Sequence, residues 1–180
     1  SPLPRYRGGS PINWAIIQGE TQWGVSIHEL VGKIDAGPII AQRFFSIEGL
    51  DYRDVVDLVN AHYVVLFEEL FQDFDRFWDG RVDQCQKLAT YWHKRIPADG
   101  RVFFSQMCAS LIWNMTRALQ PPVPRAFFEF QSQVCEIIQC HVSESACYGI
   151  PGRVVGGMES GVGIVCSEGA IVIVKVKIRD

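Results

Sequence analysis

The amino-acid sequence lacks any apolar run long enough to cross a membrane. Its longest apolar runs, such as residues 63–67, fall well short of the roughly 20 residues that a spanning helix needs. It also lacks a large excess of either charge, because 17 Lys and Arg residues stand against 20 Asp and Glu residues. The net charge of −3 argues against a cationic nucleic-acid binder, and 48% hydrophobic residues allow a soluble protein with a sizeable core.

Signatures of metal sites and disulfide frameworks are missing as well. The six cysteines are scattered along the chain: Cys85, Cys108, Cys135, Cys140, Cys147 and Cys166. They include no C-x-x-C pair that could begin a zinc or redox site, and the four histidines are equally dispersed. We therefore predict no metal, and we interpret the cysteines as reduced, buried thiols of a cytoplasmic protein.

The first half of the chain is predicted to mix short strands with helices. Residues 1–9 are rich in Pro and Gly and predict a shaped loop, after which Ser10 and Pro11 begin a short helix. Strand-like apolar patterns occupy residues 25–28 and 38–47, joined through a turn. A wide apolar stripe over residues 51–80 then predicts one long helix, with Asp51 and Asp54 at its N-terminal end.

The second half has a different pattern. Residues 83–100 lack a sustained period and predict a long loop, and residues 105–119 predict a helix that ends before three nearby prolines. Five short β-type runs follow, at residues 125–130, 133–142, 152–155, 161–166 and 170–178. Regularly spaced runs with Gly-rich turns predict a small β-barrel, so we place a domain boundary near Gly100.

Four motifs stand in a fixed order with short connections. They are S-P-L-P-R-Y-R-G at residues 1–8, P-I-N-W at 11–14, G-V-S-I-H at 24–28 and I-D-A-G-P-I-I at 34–40. Together they resemble the folate-dependent formyltransferase family, and the likeness extends over essentially the whole chain. The resemblance implies an α/β fold, with the second half of a Rossmann-like formyltransferase domain over residues 1–100 and a small OB-like β-barrel domain over residues 101–180. It also implies N10-formyltetrahydrofolate as the formyl donor, without a metal.

The resemblance gives Asp35 a catalytic role. In the family an aspartate lies in a D-[AT]-G turn, which Asp35 matches, and an Asn-x-His pair precedes the opening loop. A carboxylate near an imidazole keeps it protonated for a developing oxyanion and helps remove the proton of the attacking amine. Since the chain begins where that loop begins, the Asn and His have no counterpart in it, and we expect a fragment of a longer protein that is inactive by itself.

The resemblance also places the opening loop at the folate site. Leu3, Pro4, Arg7 and Gly8 correspond to loop residues that shape the active-site floor in the family, and the bond before Pro4 is a candidate cis peptide. His28 alternates with the apolar residues of its strand, and we interpret it as a structural histidine.

Fewer residues in the sequence indicate which amine accepts the formyl group. Enzymes that formylate initiator methionyl-tRNA usually carry Gln-Arg where this chain has Asn13 and Trp14, so the sequence is more similar to the branch that acts on nucleotide-linked amino sugars. Lys94 and Arg95 could bind a pyrophosphate, and Tyr91 or Trp92 could stack on a base. We predict that Tyr91, Lys94 and Arg95 contact the acceptor, together with Asn13 and Trp14 at the start of the first helix.

The predicted function is transfer of a formyl group from N10-formyltetrahydrofolate to the amine of a nucleotide-linked amino sugar. Beyond residue 100, seven Lys and Arg residues stand against six Asp and Glu residues, which is few cations for a tRNA-binding domain. Methionyl-tRNA formyltransferase and a non-catalytic module derived from the same fold are the alternatives. The expected partners are small molecules rather than a membrane or a nucleic acid, and a homodimer is left open.

Overall fold

The computed structural model describes residues 1–158 and 161–179, so residues 159, 160 and 180 of the predicted barrel domain lie outside the described residues. The chain divides into two compact units. One comprises Ser1–Ile16 with Glu20–Arg95, and the other comprises Ile17–Gly19 with Ile96–Asp180. The division thus falls at Ile96, a few residues before the boundary predicted near Gly100.

The first unit is built around a strand pair covered by a helix. Its elements are, in chain order, β1 (Arg7–Gly8), α1 (Pro11–Ile17), β2 (Gln22–His28), β3 (Ile39–Ser46), α2 (Tyr52–Gln72), α3 (Phe74–Asp79) and β4 (Tyr91–Trp92), with Ile17 of α1 grouped in the other unit. β2 and β3 are antiparallel, while β1 pairs in parallel with β4. Helix α2 packs on both strands of the antiparallel pair, over a core of Val25, Ala41 and Leu66.

Two predictions for this unit need correction. The long helix predicted over residues 51–80 is two helices, α2 and α3, because the backbone at Asp73 leaves helical geometry with φ −151° and ψ 62°. The segment 83–100 is not one structureless loop, since it contains β4 and two 3₁₀ turns, Gln86–Leu88 and Pro97–Gly100. The partner of β4 lies more than 80 residues earlier in the chain, so no local periodicity could reveal it.

The second unit is an antiparallel sheet with one helix against it. Its elements are α4 (Ala109–Ala118), β5 (Phe127–Phe130), β6 (Gln133–Val142), β7 (Val154–Met158), β8 (Gly161–Val165) and β9 (Ala170–Ile178). The strand order is β5-β6-β9-β8-β7, and this half-barrel occupies the place of the predicted small β-barrel. Helix α4 packs against β6 and β9, whose Ile137 and Ile171 are buried.

Helix α4 begins later than the predicted residue 105. The amide of Ser167 donates to the carbonyl of Met107 at 3.1 Å, and the amide of Ala109 donates to the carbonyl of Glu168 at 3.0 Å. The turn between β8 and β9 thus takes up backbone groups that a longer helix would use. Strand β7 also starts at Val154 rather than at Gly152, whose φ of 88° belongs to a turn.

The cysteines only partly follow the prediction of buried thiols. Cys135, Cys140 and Cys166 are buried, whereas Cys85 is exposed. Burial raises the pKa of the Cys140 thiol, and it raises the pKa of Cys166 to about 11. Across residues 1–158 and 161–179, no three His, Cys, Asp or Glu side chains gather closely enough to hold a metal ion. Within the same part of the chain, no helix combines the length and apolar content needed to cross a lipid bilayer.

The core of the second unit predicts a stability difference between two neighbouring strands. Ile171 on β9 is fully buried, so Ile171→Ala leaves a cavity and should lower the free energy of unfolding by about 2 to 5 kcal/mol. Val162 on β8 is 44% exposed, so Val162→Ala should cost less than about 1 kcal/mol. Urea unfolding of both variants measures the difference, and equal losses would contradict this description of the core.

Candidate active site

Asp35 lies in the turn between β2 and β3 with its carboxylate held at two points. Its Oδ2 accepts a hydrogen bond from the Gly8 amide at 2.8 Å, and its Oδ1 lies 3.7 Å from His28 Nε2. The backbone at Asp35 has a φ of 51°, a left-handed conformation that residues other than glycine adopt infrequently. The turn that the sequence identified is therefore also the place where the carboxylate meets the opening loop.

His28 is next to Asp35 because β2 ends there. Its Nδ1 lies 2.9 Å from the carbonyl oxygen of Glu29, and since a carbonyl only accepts, Nδ1 carries the proton and donates. The other ring nitrogen then faces the Asp35 carboxylate. From its alternation along the strand we interpret His28 as structural, and that pattern carries no sign of this second contact with Asp35.

The opening loop is fixed by β4. The Arg7 amide donates to the Thr90 carbonyl at 2.9 Å, and the Gly9 amide donates to the Trp92 carbonyl at 2.9 Å. The Gly8 amide points the other way, towards Asp35. Gly8 has a φ of 94°, and a Cβ there would overlap the Trp92 carbonyl oxygen, so the close approach requires glycine.

The Arg7 side chain is fully buried. Its Nε and Nη2 donate to Gln84 Oε1 at 3.1 and 2.6 Å, and its Nη1 donates to Gln86 Oε1 at 3.0 Å and to the Tyr91 hydroxyl at 2.6 Å. These contacts occupy the guanidinium inside the protein. Arg7 would therefore support folate binding indirectly, by holding the opening loop in place, and not by contacting the folate with its side chain.

Tyr91 connects this buried arginine to the surface. Its side chain is 52% exposed, and the Lys33 ammonium lies 5.6 Å from its ring centroid. A hydrogen bond from Arg7, and to a smaller extent one from Lys33, stabilises the phenolate and lowers the pKa of Tyr91. Lys33 belongs to the Asp35 turn, so the phenol contacts both sides of the candidate site.

The remaining acceptor candidates surround Trp14. Its Nε1 donates to the His93 carbonyl at 3.0 Å, and the Arg95 guanidinium lies 5.7 Å from a Trp14 ring centroid. Asn13 is only 6% exposed, whereas Lys94 is exposed. Trp14 and Arg95 thus meet as one group, with Lys94 free to face solvent beside them.

Leu3 and Pro4 lie at another part of the loop. The Leu3 carbonyl accepts a hydrogen bond from Gln42 Nε2 at 2.9 Å. The Leu3–Pro4 peptide bond, a candidate cis bond in the sequence, is cis. Both residues line a groove of about 540 Å³ together with Phe44 and Leu88. The predicted folate residues are thus divided between this groove and the Gly8–Asp35 contact, and their role in binding stays a prediction.

Gln84 and Lys33 are not among the site residues predicted from the sequence. Gln84 is buried but follows no apolar period, and it stands in a segment that was predicted as a loop. Lys33 is a charged residue in a polar turn, which normally indicates a solvated side chain. The sequence held no signal for either contact, since Gln84 and Asp35 are 49 residues apart and Lys33 and Tyr91 are 58 residues apart.

The contacts of Tyr91 predict a shifted phenol titration. Because Arg7 and Lys33 favour its phenolate, Tyr91→Phe should remove an absorbance step that occurs below the usual tyrosine range. Tyr6→Phe is the matched control and should leave the low step unchanged, since burial, and to a smaller extent a hydrogen bond to Glu20, raises the pKa of Tyr6. Ultraviolet titration of the three proteins decides the matter, and a low step that survives in Tyr91→Phe would contradict these contacts.

Two family models match the chain, with residues 61–94 between the two matches. Residues 1–60 match the model described as "Formyl transferase", and residues 95–180 match the one described as "Formyl transferase, C-terminal domain". Asp35 and the opening loop lie in the first match, while α4 and the half-barrel lie in the second.

Solved structures share the fold at low sequence identity. HypX from Aquifex aeolicus, in complex with tetrahydrofolic acid, is 23% identical with a TM-score of 0.71, over 99% of this chain and 31% of that one. Methionyl-tRNA formyltransferase from Clostridium thermocellum is 21% identical with a TM-score of 0.66, over 99% and 65%. An N-formyltransferase from Helicobacter canadensis, with folinic acid and dTDP-3-aminofucose, is 22% identical with a TM-score of 0.67, over 96% and 63%.

The chain therefore spans between about a third and two thirds of the length of these solved proteins. Its two matched segments together cover most of its own residues, and its fold agrees with theirs in both units. The chain belongs to the formyl transferase family.

Proposed function

We propose that the protein transfers a formyl group from N10-formyltetrahydrofolate to the amine of a nucleotide-linked amino sugar. The observation that best supports this chemistry is the position of Asp35, whose carboxylate meets the Gly8 amide at 2.8 Å and His28 Nε2 at 3.7 Å. The acceptor amine attacks the formyl carbon of the folate, the bond between that carbon and N10 breaks, and N10 takes up a proton as tetrahydrofolate leaves.

The acceptor amine must lose a proton as the new bond to the formyl carbon forms. Asp35 can accept that proton, directly or through a water molecule, because about a third of its side chain is exposed beside His28. The Gly8 amide fixes the carboxylate in place, and the Glu29 carbonyl fixes the tautomer of His28. Together these contacts orient a carboxylate and an imidazole towards each other, as proton transfer needs.

The acceptor class is inferred from the surface that follows β4. Lys94 is exposed, and the half-exposed Tyr91 offers an aromatic face near it in the chain. Cations at this point fit a pyrophosphate, and an aromatic side chain fits a nucleobase. Methionyl-tRNA formyltransferase is the alternative, which the nearly neutral charge of the chain beyond residue 100 disfavours.

The first test concerns Asp35 in the protein as its gene encodes it. Asp35→Asn keeps the side-chain shape but removes the proton acceptor, so kcat for formyl transfer should fall about 100-fold or more, with a much smaller change in KM. Glu29→Gln is the matched control, because the Glu29 carboxylate pairs with Arg81 at 3.2 Å instead. Steady-state kinetics of both variants give the comparison, and near wild-type kcat in Asp35→Asn would remove Asp35 from the mechanism.

The second test concerns the acceptor. Replacing Lys94 and Arg95 together by alanine should weaken the binding of a dTDP- or UDP-linked amino sugar about tenfold or more per lost charge-assisted contact, with folate affinity unchanged. Since Arg95 also packs on Trp14, the single variant Lys94→Ala isolates the exposed cation. Lys87→Ala, an exposed lysine in the preceding 3₁₀ turn, is the control.

Calorimetric titration separates the possible outcomes. Unchanged sugar-nucleotide affinity in Lys94→Ala and in the double variant would refute the assignment of this surface. Tight binding of initiator tRNA, with an affinity that falls steeply with salt, would favour the methionyl-tRNA alternative instead.

A further inference from the structure

Gln84 connects the opening loop to the Asp35 turn through both ends of its side-chain amide. Its Nε2 donates to the carbonyl oxygens of Asp35 at 2.9 Å and Gly37 at 2.6 Å. Its Oε1 accepts two of the hydrogen bonds that Arg7 donates, from Nε at 3.1 Å and from Nη2 at 2.6 Å. The side chain is only 7% exposed, so water has little access to replace these bonds.

The Asp35 turn depends on such support. Asp35 has a left-handed backbone, and a Cβ at Gly37 would overlap the Glu29 carbonyl, so the chain passes through a narrow space here. Carbonyl groups that face the interior need donors, and one amide supplies two of them, two residues apart. These two bonds fix the plane of the turn and hence the direction of the Asp35 side chain.

We propose that Gln84 is a positioning residue for the Asp35 carboxylate. Gln84 is held by the buried Arg7 guanidinium, and in turn it holds the backbone of the Asp35 turn. The Asp35 side chain is thereby placed with Oδ2 at the Gly8 amide and Oδ1 beside His28. The inferred effect on catalysis rests on the proposed function, whereas the effect on geometry does not.

Gln86 provides a natural comparison. It also accepts a hydrogen bond from Arg7, at 3.0 Å, and its Nε2 donates to the backbone carbonyl of Gln84 at 3.2 Å. It therefore shares the arginine with Gln84 but reaches the Asp35 turn only through that residue. A change that matters merely because it disturbs Arg7 should have similar effects at both glutamines.

The test uses Gln84→Glu in the 180-residue chain. The new carboxylate still accepts from Arg7, with a stronger charge-assisted bond, but it has no donors for the Asp35 and Gly37 carbonyls. The Gly8 amide reports on the Asp35 carboxylate, because it donates to Oδ2. The amides of Arg7 and Gly9 donate to β4 instead and serve as internal controls.

Hydrogen exchange measured by NMR should show a selective change. In Gln84→Glu the Gly8 amide should exchange about tenfold faster while the Arg7 and Gly9 amides keep their rates, and the low Tyr91 titration step should persist because Arg7 stays in place. Gln84→Met removes the donors without adding charge but also removes the acceptor of Arg7, so the loss of protection at Gly8 should be at least as large. The comparison of Gly8 with Arg7 and Gly9 is therefore made in Gln84→Glu. Gln86→Glu should leave the Gly8 amide unchanged.

Two results would overturn the proposal. One is unchanged Gly8 exchange in both Gln84 variants. The other is an equal loss of protection at Arg7, Gly8 and Gly9 in Gln84→Glu, which would indicate general loosening of the loop. In the protein as its gene encodes it, Gln84→Glu should lower kcat about tenfold, with less change in KM for folate. Absence of formyl transfer by the wild type would refute the proposed function and leave the exchange result to decide the role of Gln84.

Discussion

The candidate site depends on a buried guanidinium. Removing an arginine from water is costly unless its donors are satisfied, and Arg7 satisfies its own through amide and phenol oxygens of Gln84, Gln86 and Tyr91. All three acceptors come from one segment of eight residues, more than 75 positions away in the chain. A single buried charge thus determines where the opening loop lies, and the Gly8 amide and the Asp35 turn take their places from that loop.

Aromatic packing supports the same junction. The Tyr6 ring lies 5.2 Å from Trp23 and stacks on Trp92 at 5.4 Å, and Trp92 in turn stacks on Trp14 at 5.1 Å, measured between ring centroids. This row of rings runs from β2 through the loop and β4 to α1. Offset and edge contacts of this kind prefer defined geometries, so they limit how far the loop can shift around Arg7.

These contacts explain how a site can be assembled largely from loops. The Asp35 carboxylate is on a tight turn, the Gly8 amide is on the opening loop, and the Tyr91 phenol is on a two-residue strand. Loops carry function best when a rigid framework holds them, and here Arg7 and Gln84 provide that framework. Tyr91 connects this buried network to the surface, and the side chain of Lys94 is exposed.

Features that depend on neighbours in the chain were determined by the sequence. The apolar patterns of β6 and β9 matched their elements closely, and the D-A-G turn identified Asp35, because each is a short-range pattern of side-chain polarity or turn chemistry. The order of the motifs also identified the family, which the two family models confirm.

Only the tertiary structure decided which distant groups meet. The pairing of β1 with β4 and the hydrogen bonds of Gln84 to the Asp35 turn join segments that are far apart in the chain. The contact of His28 with Asp35 depends on how the turn between them folds. A buried glutamine and a solvated one look alike in a sequence, since the difference between them is the position of a hydrogen-bond partner in space. The break between α2 and α3 at Asp73 and the late start of α4 were also not visible in the local pattern. The first depends on the backbone geometry at Asp73, and the second depends on hydrogen bonds to the turn between β8 and β9.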